Sequence, residues 1–149
     1  ESHENLFKCL LVRPFKSRSS RRRFMELVKC EKSHWRRVLE IRNLTRQSFI
    51  NSSLITYEDH LKFMEKNYEN YIVAIVIGEV VGFAGVVEND VRVAVDPRYQ
   101  KKGIGKKLLQ KIVSNFPKCE AKIDVENKAS LSLFRSCGFI KKYYILNHA

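Results

Sequence analysis

The sequence predicts an α/β protein, of the α+β kind, in which a mixed central sheet of about six to seven strands carries about four helices on its faces. Three observations lead there. Two β-branched runs, 71–77 and 80–87, meet at Gly78-Glu79, a natural hairpin turn. Ile104, Leu108, Leu109, Ile112, Val113 and Phe116 recur at three- and four-residue spacing and lay an apolar stripe along one helix. The order β-α-α-β-β-β-α-β-α-β departs from the strict alternation that would give an all-parallel sheet.

Residues 1–23 lack periodicity, carry no acid after Glu4, and cluster arginine with serine over Arg18 to Arg23. They read as a basic N-terminal extension, open to being a targeting peptide, a leftover of expression or an additional strand. The domain proper is expected over residues 24–149, and a chain of 149 residues fits a single core. Phe24 to Cys30 alternates loosely as a strand, and Ser33 offers an N-cap to a helix with Trp35, Val38 and Leu39 on one face. Thr56 caps a second helix, with Asp59 at its third position and Tyr57, Leu61 and Met64 at helical spacing, ending near Asn67. The hairpin Tyr71 to Ile77 and Val80 to Val87 follows, then the polar turn Glu88-Asn89-Asp90 and a strand Val91 to Val95. Pro97 stops that strand, because proline has no amide for a ladder. Beyond the long helix, Ala121 to Val125 reads as a strand, Ser130 to Ser136 as a helix closed by Cys137-Gly138, and Phe139 to Leu146 as a last strand.

With 28 Lys+Arg against 16 Asp+Glu the chain carries +12, which favours an anionic partner: nucleic acid, a membrane surface or a phosphorylated small molecule. One acid-free run holds Arg98, Lys101, Lys102, Lys106, Lys107 and Lys111; Arg18 to Arg23 is another. Cys9, Cys30, Cys119 and Cys137 lie far apart, without a C-x-x-C pair or a histidine at ligand spacing. Neither a zinc site nor a disulfide framework is indicated, and reduced thiols in a cytoplasmic protein are expected. No apolar run approaches the ~18 residues needed to cross a bilayer. A soluble monomer or homodimer without metal follows.

The chemistry concentrates in VRVAVDPRYQKKGIGKKLL, where Gln100, Gly103 and Gly105 stand between a strand and the strongest helix. Glycines let backbone approach a ligand, and the amides and dipole of a helix start favour an anion, here a pyrophosphate. Lys101, Lys102, Lys106 and Lys107 add positive charge, and Arg98 is placed to reach a further phosphate. A dinucleotide fingerprint would need a third glycine and an acid after the next strand, and a P-loop needs Gly-Lys-Ser/Thr, whereas Gly105-Lys106 is followed by Lys107. The segment instead resembles the acetyl-CoA signature of the GNAT N-acetyltransferase superfamily, through Val95, Pro97, Tyr99, Gln100, Gly103, Ile104 and Gly105. NKASLSLFRSCGF is similar to that superfamily's next motif through Asn127, Ser130, Leu131, Leu133, Phe134, Gly138 and Phe139.

The resemblance implies acetyl-CoA as cofactor, its pyrophosphate on the amides of Gln100, Lys101, Lys102, Gly103, Ile104 and Gly105, with Lys106 beside it. Pantetheine would run along Val93, Ala94 and Val95, with the thioester carbonyl on the amide of Val93 as the donor that developing negative charge requires. Asn127 would touch the pantetheine arm or cap a loop. Phe134 departs from the tyrosine that many relatives use to protonate the leaving thiolate. Either Tyr143 or Tyr144 takes over, or the thiolate leaves unaided, since a thiol with pKa of about 8.5 is a good leaving group; Phe134 would then pack against the acyl or pantetheine chain.

An ammonium is no nucleophile, so a base must take its proton. Glu88, Asp90 and Asp124 are the candidates, each also readable as an ordinary turn or edge acid. Arg42 and Asn43, in LEIRN ahead of ITYEDHLKF, resemble the acceptor side of acetyltransferases acting on amino-sugar nucleotides. The expected acceptor is therefore a small-molecule primary amine such as an amino sugar or sugar nucleotide. Arg36, Arg37, Arg42 and Arg46 would draw such an anion, where a basic peptide would be repelled. Acetylation of a protein N-terminus or lysine is the alternative. A non-catalytic coenzyme-binding module is another, and a nucleic-acid binder is disfavoured because the densest basic run coincides with the cofactor turn. His34 and His60 read as exposed helix residues.

Overall fold

Four strands pair in sequence order, β1 (Met25–Lys29), β2 (Tyr71–Val76), β3 (Glu79–Val87) and β4 (Asp90–Val95), each antiparallel to the next. The structure is a computed structural model, and it describes residues 24–149; the basic extension expected over residues 1–23 lies outside the described residues. Among the described residues four helices join the sheet: α1 (Trp35–Leu44), α2 (Tyr57–Asn67), α3 (Ile104–Asn115) and α4 (Lys128–Ser136).

Each face of the sheet buries its own apolar cluster. On one face Leu27, Ala74, Val81, Val86 and Val91 pack against Ile104, Leu108, Leu109 and Ile112, the expected stripe of α3. On the other, Val73, Val80, Phe83 and Ala94 pack against Trp35, Val38 and Ile41 of α1 and Met64 of α2. Alternation along the strands sends successive residues to opposite layers, so β4 serves both. Gly85 is required by Tyr71: a β-carbon there would lie 2.4 Å from the tyrosine ring, which stacks on Phe83 at 5.9 Å.

Local signals hold with small shifts. The Thr56 hydroxyl accepts from the Asp59 amide at 3.2 Å and starts α2 one residue later. Glu31, rather than Ser33, caps the 3-10 turn that leads into α1: its carbonyl accepts from the His34 amide at 2.9 Å while its own amide donates to His34 Nδ1 at 3.0 Å. The β2–β3 turn is Ile77-Gly78, both with positive φ (49° and 71°), one residue earlier than Gly78-Glu79.

Among the described residues the sheet counts four strands, fewer than the six to seven expected. All its ladders are antiparallel, and the segment after α3 makes a single parallel bridge, Glu120 to Asp90, among the described residues. Ala121 to Val125 then leaves β4, because Asp124 accepts from the Glu126 amide at 2.8 Å and its carbonyl takes the Asn127 amide at 2.9 Å, bending the chain into α4. Phe139 folds back on α4, its amide on the Phe134 carbonyl at 3.1 Å, and the residues beyond it run exposed without a strand beside them.

Candidate active site

The turn between β4 and α3 is shaped by two residues in the left-handed region, Lys101 (φ 62°) and Gly103 (φ 82°). Gly103 is the N-cap of α3, and no atom lies within 4 Å of where its β-carbon would stand. The first backbone bond of the helix is Lys107 N–H to Gly103 O at 3.2 Å, so the amides of Ile104, Gly105 and Lys106 point ahead of it. Lys101, Lys102, Lys106 and Lys107 stand exposed around this mouth. Left-handed turns ahead of a helix start form an anion cradle. A phosphate group fits it: the space is open, the donors converge, and the charge is positive.

The edge of β4 leads into that cradle. Asp96 N–H bonds the Val81 carbonyl at 2.8 Å, toward β3, while Val91 N–H bonds the Glu120 carbonyl at 2.8 Å, on the opposite side. The β3–β4 register runs from Val87↔Asp90 to Gly82↔Val95 without a shift, so strand parity turns the amides of Val93 and Val95 to the side of Val91. There the 121–125 segment has departed, leaving these backbone groups at an open edge; the Val95 carbonyl on it receives Gln100 Nε2 at 3.1 Å. Ala94, between them, faces β3 and the α1 layer. Gly105 faces this edge, where a β-carbon would make only ordinary contacts, with Val95 at 3.6 Å and Leu133 at 3.5 Å.

Asp96 anchors the whole turn and was not foreseen. Its carboxylate is 1% exposed and accepts from Arg37 at 2.9 Å, from the Arg98 side chain at 3.0 Å and from the Arg98 amide at 2.9 Å. These bonds, Arg98 first, hold its carboxyl far below the usual carboxylate range despite burial. Arg98 is thus engaged by Asp96 and by Glu79 at 3.1 Å rather than extended toward a phosphate.

The three acids separate clearly. Glu88 sits exposed in the left-handed β3–β4 turn (φ 51°), and Asp124 is exposed and holds the Glu126 amide. Asp90 is half-buried at the start of β4, and burial raises its carboxyl above the ordinary value even though Arg92 and Lys122 pull it down. Asn127 caps α4, accepting from the Ser130 amide at 3.1 Å and donating to the Ser48 carbonyl at 3.3 Å. Phe134 is buried edge-on against Phe139 at 5.0 Å. Tyr143 and Tyr144 are 68% and 77% exposed beyond α4. Arg42 is buried, donating to the carbonyls of Ser53 at 3.0 Å and Asn51, and Asn43 exchanges two bonds with the Ile55 backbone, so both sew the 45–56 loop onto α1. His60 is buried rather than exposed, its Nε2 2.7 Å from the Trp35 carbonyl, which ties α2 to α1.

Among the described residues no cluster of three or more His, Cys, Asp or Glu could hold a metal ion, and no helix is long and apolar enough to cross a membrane. Residues 35–139 match the acetyltransferase (GNAT) family. Among solved structures, yncA of Salmonella typhimurium with its cofactor acetyl-CoA is 25% identical over 77% of this chain and 79% of its own, with a TM-score of 0.68. A ribosomal-protein-alanine N-acetyltransferase of Brucella melitensis is 23% identical over 75% and 82%, at 0.67. A phosphinothricin acetyltransferase of Sinorhizobium meliloti in complex with acetyl-CoA is 22% identical over 76% and 74%, at 0.64. No curated protein matches the sequence. With the match over residues 35–139 spanning more than half of the chain, the chain belongs to the acetyltransferase (GNAT) family and is an N-acetyltransferase.

Proposed function

We propose that this enzyme moves the acetyl group of acetyl-CoA to the primary amine of a small molecule, with amino sugars and sugar nucleotides as the first acceptors to consider. One observation carries the reading: the outward amides of Val93 and Val95 lead along β4 into the cradle at Gly103, a continuous track of backbone donors. The amides of Ile104, Gly105 and Lys106, with Gln100, Lys101 and Lys102 at the mouth, would hold the pyrophosphate. Val93 to Val95 would hold the pantetheine arm. When bound, acetyl-CoA supplies a thioester whose C–S bond breaks as the amine nitrogen forms the amide, the thiol leaving with a proton.

The chain's own groups do the rest. The Val93 amide is the oxyanion donor, and preorganised donors of this kind are worth about 3–4 kcal/mol of barrier. Asp90 takes the ammonium proton, favoured over Glu88 and Asp124 by its half-burial and raised carboxyl. Exposure of Tyr143 and Tyr144 and burial of Phe134 favour departure of the thiolate without a side-chain acid. The +12 charge favours an anionic acceptor over a basic peptide.

The test is calorimetry with acetyl-CoA, desulfo-CoA and adenosine. Acetyl-CoA and desulfo-CoA should bind in the micromolar range and adenosine far more weakly; absence of heat and of thermal shift with every coenzyme form would refute the reading.

A further inference from the structure

We propose that Arg92 is the specificity-determining residue of the acceptor site, and that the acceptor is an amine carrying its own anionic group, a carboxylate or phosphate close to the nitrogen. The inference rests on the acetyltransferase reading above and names the substrate class of that site.

Parity along β4 puts Asp90, Arg92, Ala94 and Asp96 on the face covered by α1 and α2: Ala94 packs with Trp35, Ile41 and Met64, and Asp96 meets Arg37. Arg92 lies on this face, its guanidinium 5.4 Å from the Phe63 ring of α2, one residue before the outward amide of Val93. Arg92 is thus the strand neighbour of the amide that would hold the thioester carbonyl.

Arg92 meets the Tyr71 side chain through a hydrogen bond, but no carboxylate among the described residues lies within hydrogen-bond reach of its charge. Arg37 and Arg42, on the same side of the sheet, donate to acceptors at 2.9–3.1 Å. Arg92 Nε instead stands 3.9 Å from Asp90 Oδ2, its one carboxylate contact among the described residues and too long for a hydrogen bond. The groups that feel one another here are Arg42, Arg46, Tyr71, Asp90, Arg92, Glu120 and Lys122, so cations outnumber acids. Arg42 and Arg92 repel each other, and burial with that repulsion lowers the Arg42 pKa. An incoming anion relieves the repulsion.

The stretched Asp90–Arg92 pair also has the form of a zwitterion's receptor. A ligand with an ammonium and an adjacent anion exchanges one 3.9 Å contact for two shorter ones, ammonium to Asp90 and anion to the guanidinium fork. The Phe63 ring carries the guanidinium, and Tyr71, edge to face with Phe63 at 6.1 Å, hydrogen-bonds it through its side chain, so the fork is held in place.

Two matched acceptor pairs test this: glucosamine 6-phosphate against glucosamine, and an α-amino acid against its amide, with free thiol as readout. The parent should prefer the anionic member of at least one pair by about 10- to 100-fold in kcat/KM, the loss of a charged hydrogen bond setting that scale; which pair it is separates phosphate from carboxylate. Arg92→Gln should collapse the ratio toward unity through acceptor KM, and Arg92→Lys should restore part of it. Titration of the preferred anionic acceptor into protein saturated with desulfo-CoA should give heat with the parent and none with Arg92→Gln, while acetyl-CoA affinity shows that the variant is folded. Equal use of both members of each pair, an unchanged ratio in Arg92→Gln, or coenzyme binding with none of the four amines used would overturn the proposal and leave the acetyltransferase reading standing. Failure of the parent to bind any coenzyme form would overturn both.

Discussion

Gly103→Glu puts the cradle to a test that separates binding from folding. The position has φ 82°, so any side chain there costs about 1–2 kcal/mol in left-handed strain. Space adds nothing to that, because no atom lies within 4 Å of the new β-carbon. A carboxylate at the N-cap of α3 recovers about 0.3–1 kcal/mol from the helix dipole. The net loss is near 1 kcal/mol, a fall of about 2–4 °C in Tm for a domain of this size. For the coenzyme the same carboxylate stands where a phosphate would sit, and two unit charges about 4 Å apart repel by about 4 kcal/mol near a protein surface. Affinity for acetyl-CoA should therefore fall several hundred-fold by calorimetry while the melt stays cooperative. Lys118→Glu makes the same charge change on an exposed turn away from the cradle and should alter affinity little. A Gly103→Glu variant that binds acetyl-CoA within threefold of the parent would refute the placement of the phosphates.

Asp96→Asn should lower stability by about 3 kcal/mol, roughly 10 °C in Tm, because Arg37 and Arg98 lose a buried carboxylate. The folded carboxyl is depressed, so its contribution is present above the unfolded pKa of about 3.9 and is lost as pH falls below it; thermal melts from neutral to acid pH should show the parent losing more than the variant. Asp90→Asn should reduce kcat by about 100-fold with coenzyme affinity retained, and the acid limb of the parent's pH–rate profile should lie above the ordinary carboxylate value, as its raised pKa requires. Tyr143→Phe and Tyr144→Phe should leave turnover within several-fold, and Phe134→Tyr should bring no large gain; a loss of about 100-fold in either tyrosine variant would mean that the exposed tail supplies the leaving-group proton.

What the sequence made legible is what neighbouring residues decide. The Thr56 cap, the apolar stripe of α3, the stop at Pro97 and the glycine turn each depend on residues within a few positions, and the structure reproduces them. Roles set by distant partners were not legible. Asp96 drew no reading at all, because its role comes from Arg37, 59 positions away, and His60 looked exposed until the Trp35 carbonyl, 25 positions away, met its ring. Arg42 and Asn43 carry the right chemistry for a ligand but meet loop carbonyls instead. The hairpin turn shifted because Ile77, a β-branched residue, occupies a left-handed position that preference rules assign to glycine. Ala121 to Val125 and Phe139 to Leu146 show strand composition, yet pairing needs a neighbouring edge, and the Asp124 turn and the Phe139 fold-back carry them away from β4.

The central claim is that an amine takes the acetyl group from the thioester held along β4. Its most direct measurement is free-thiol release with acetyl-CoA across amino sugars, sugar nucleotides, amino acids, polyamines and peptides, with the products identified by mass spectrometry. The account predicts thiol release that depends on the amine and matches, mole for mole, an acetyl group on nitrogen. Release that is the same with and without amine, or no release with any acceptor despite tight coenzyme binding, would contradict it.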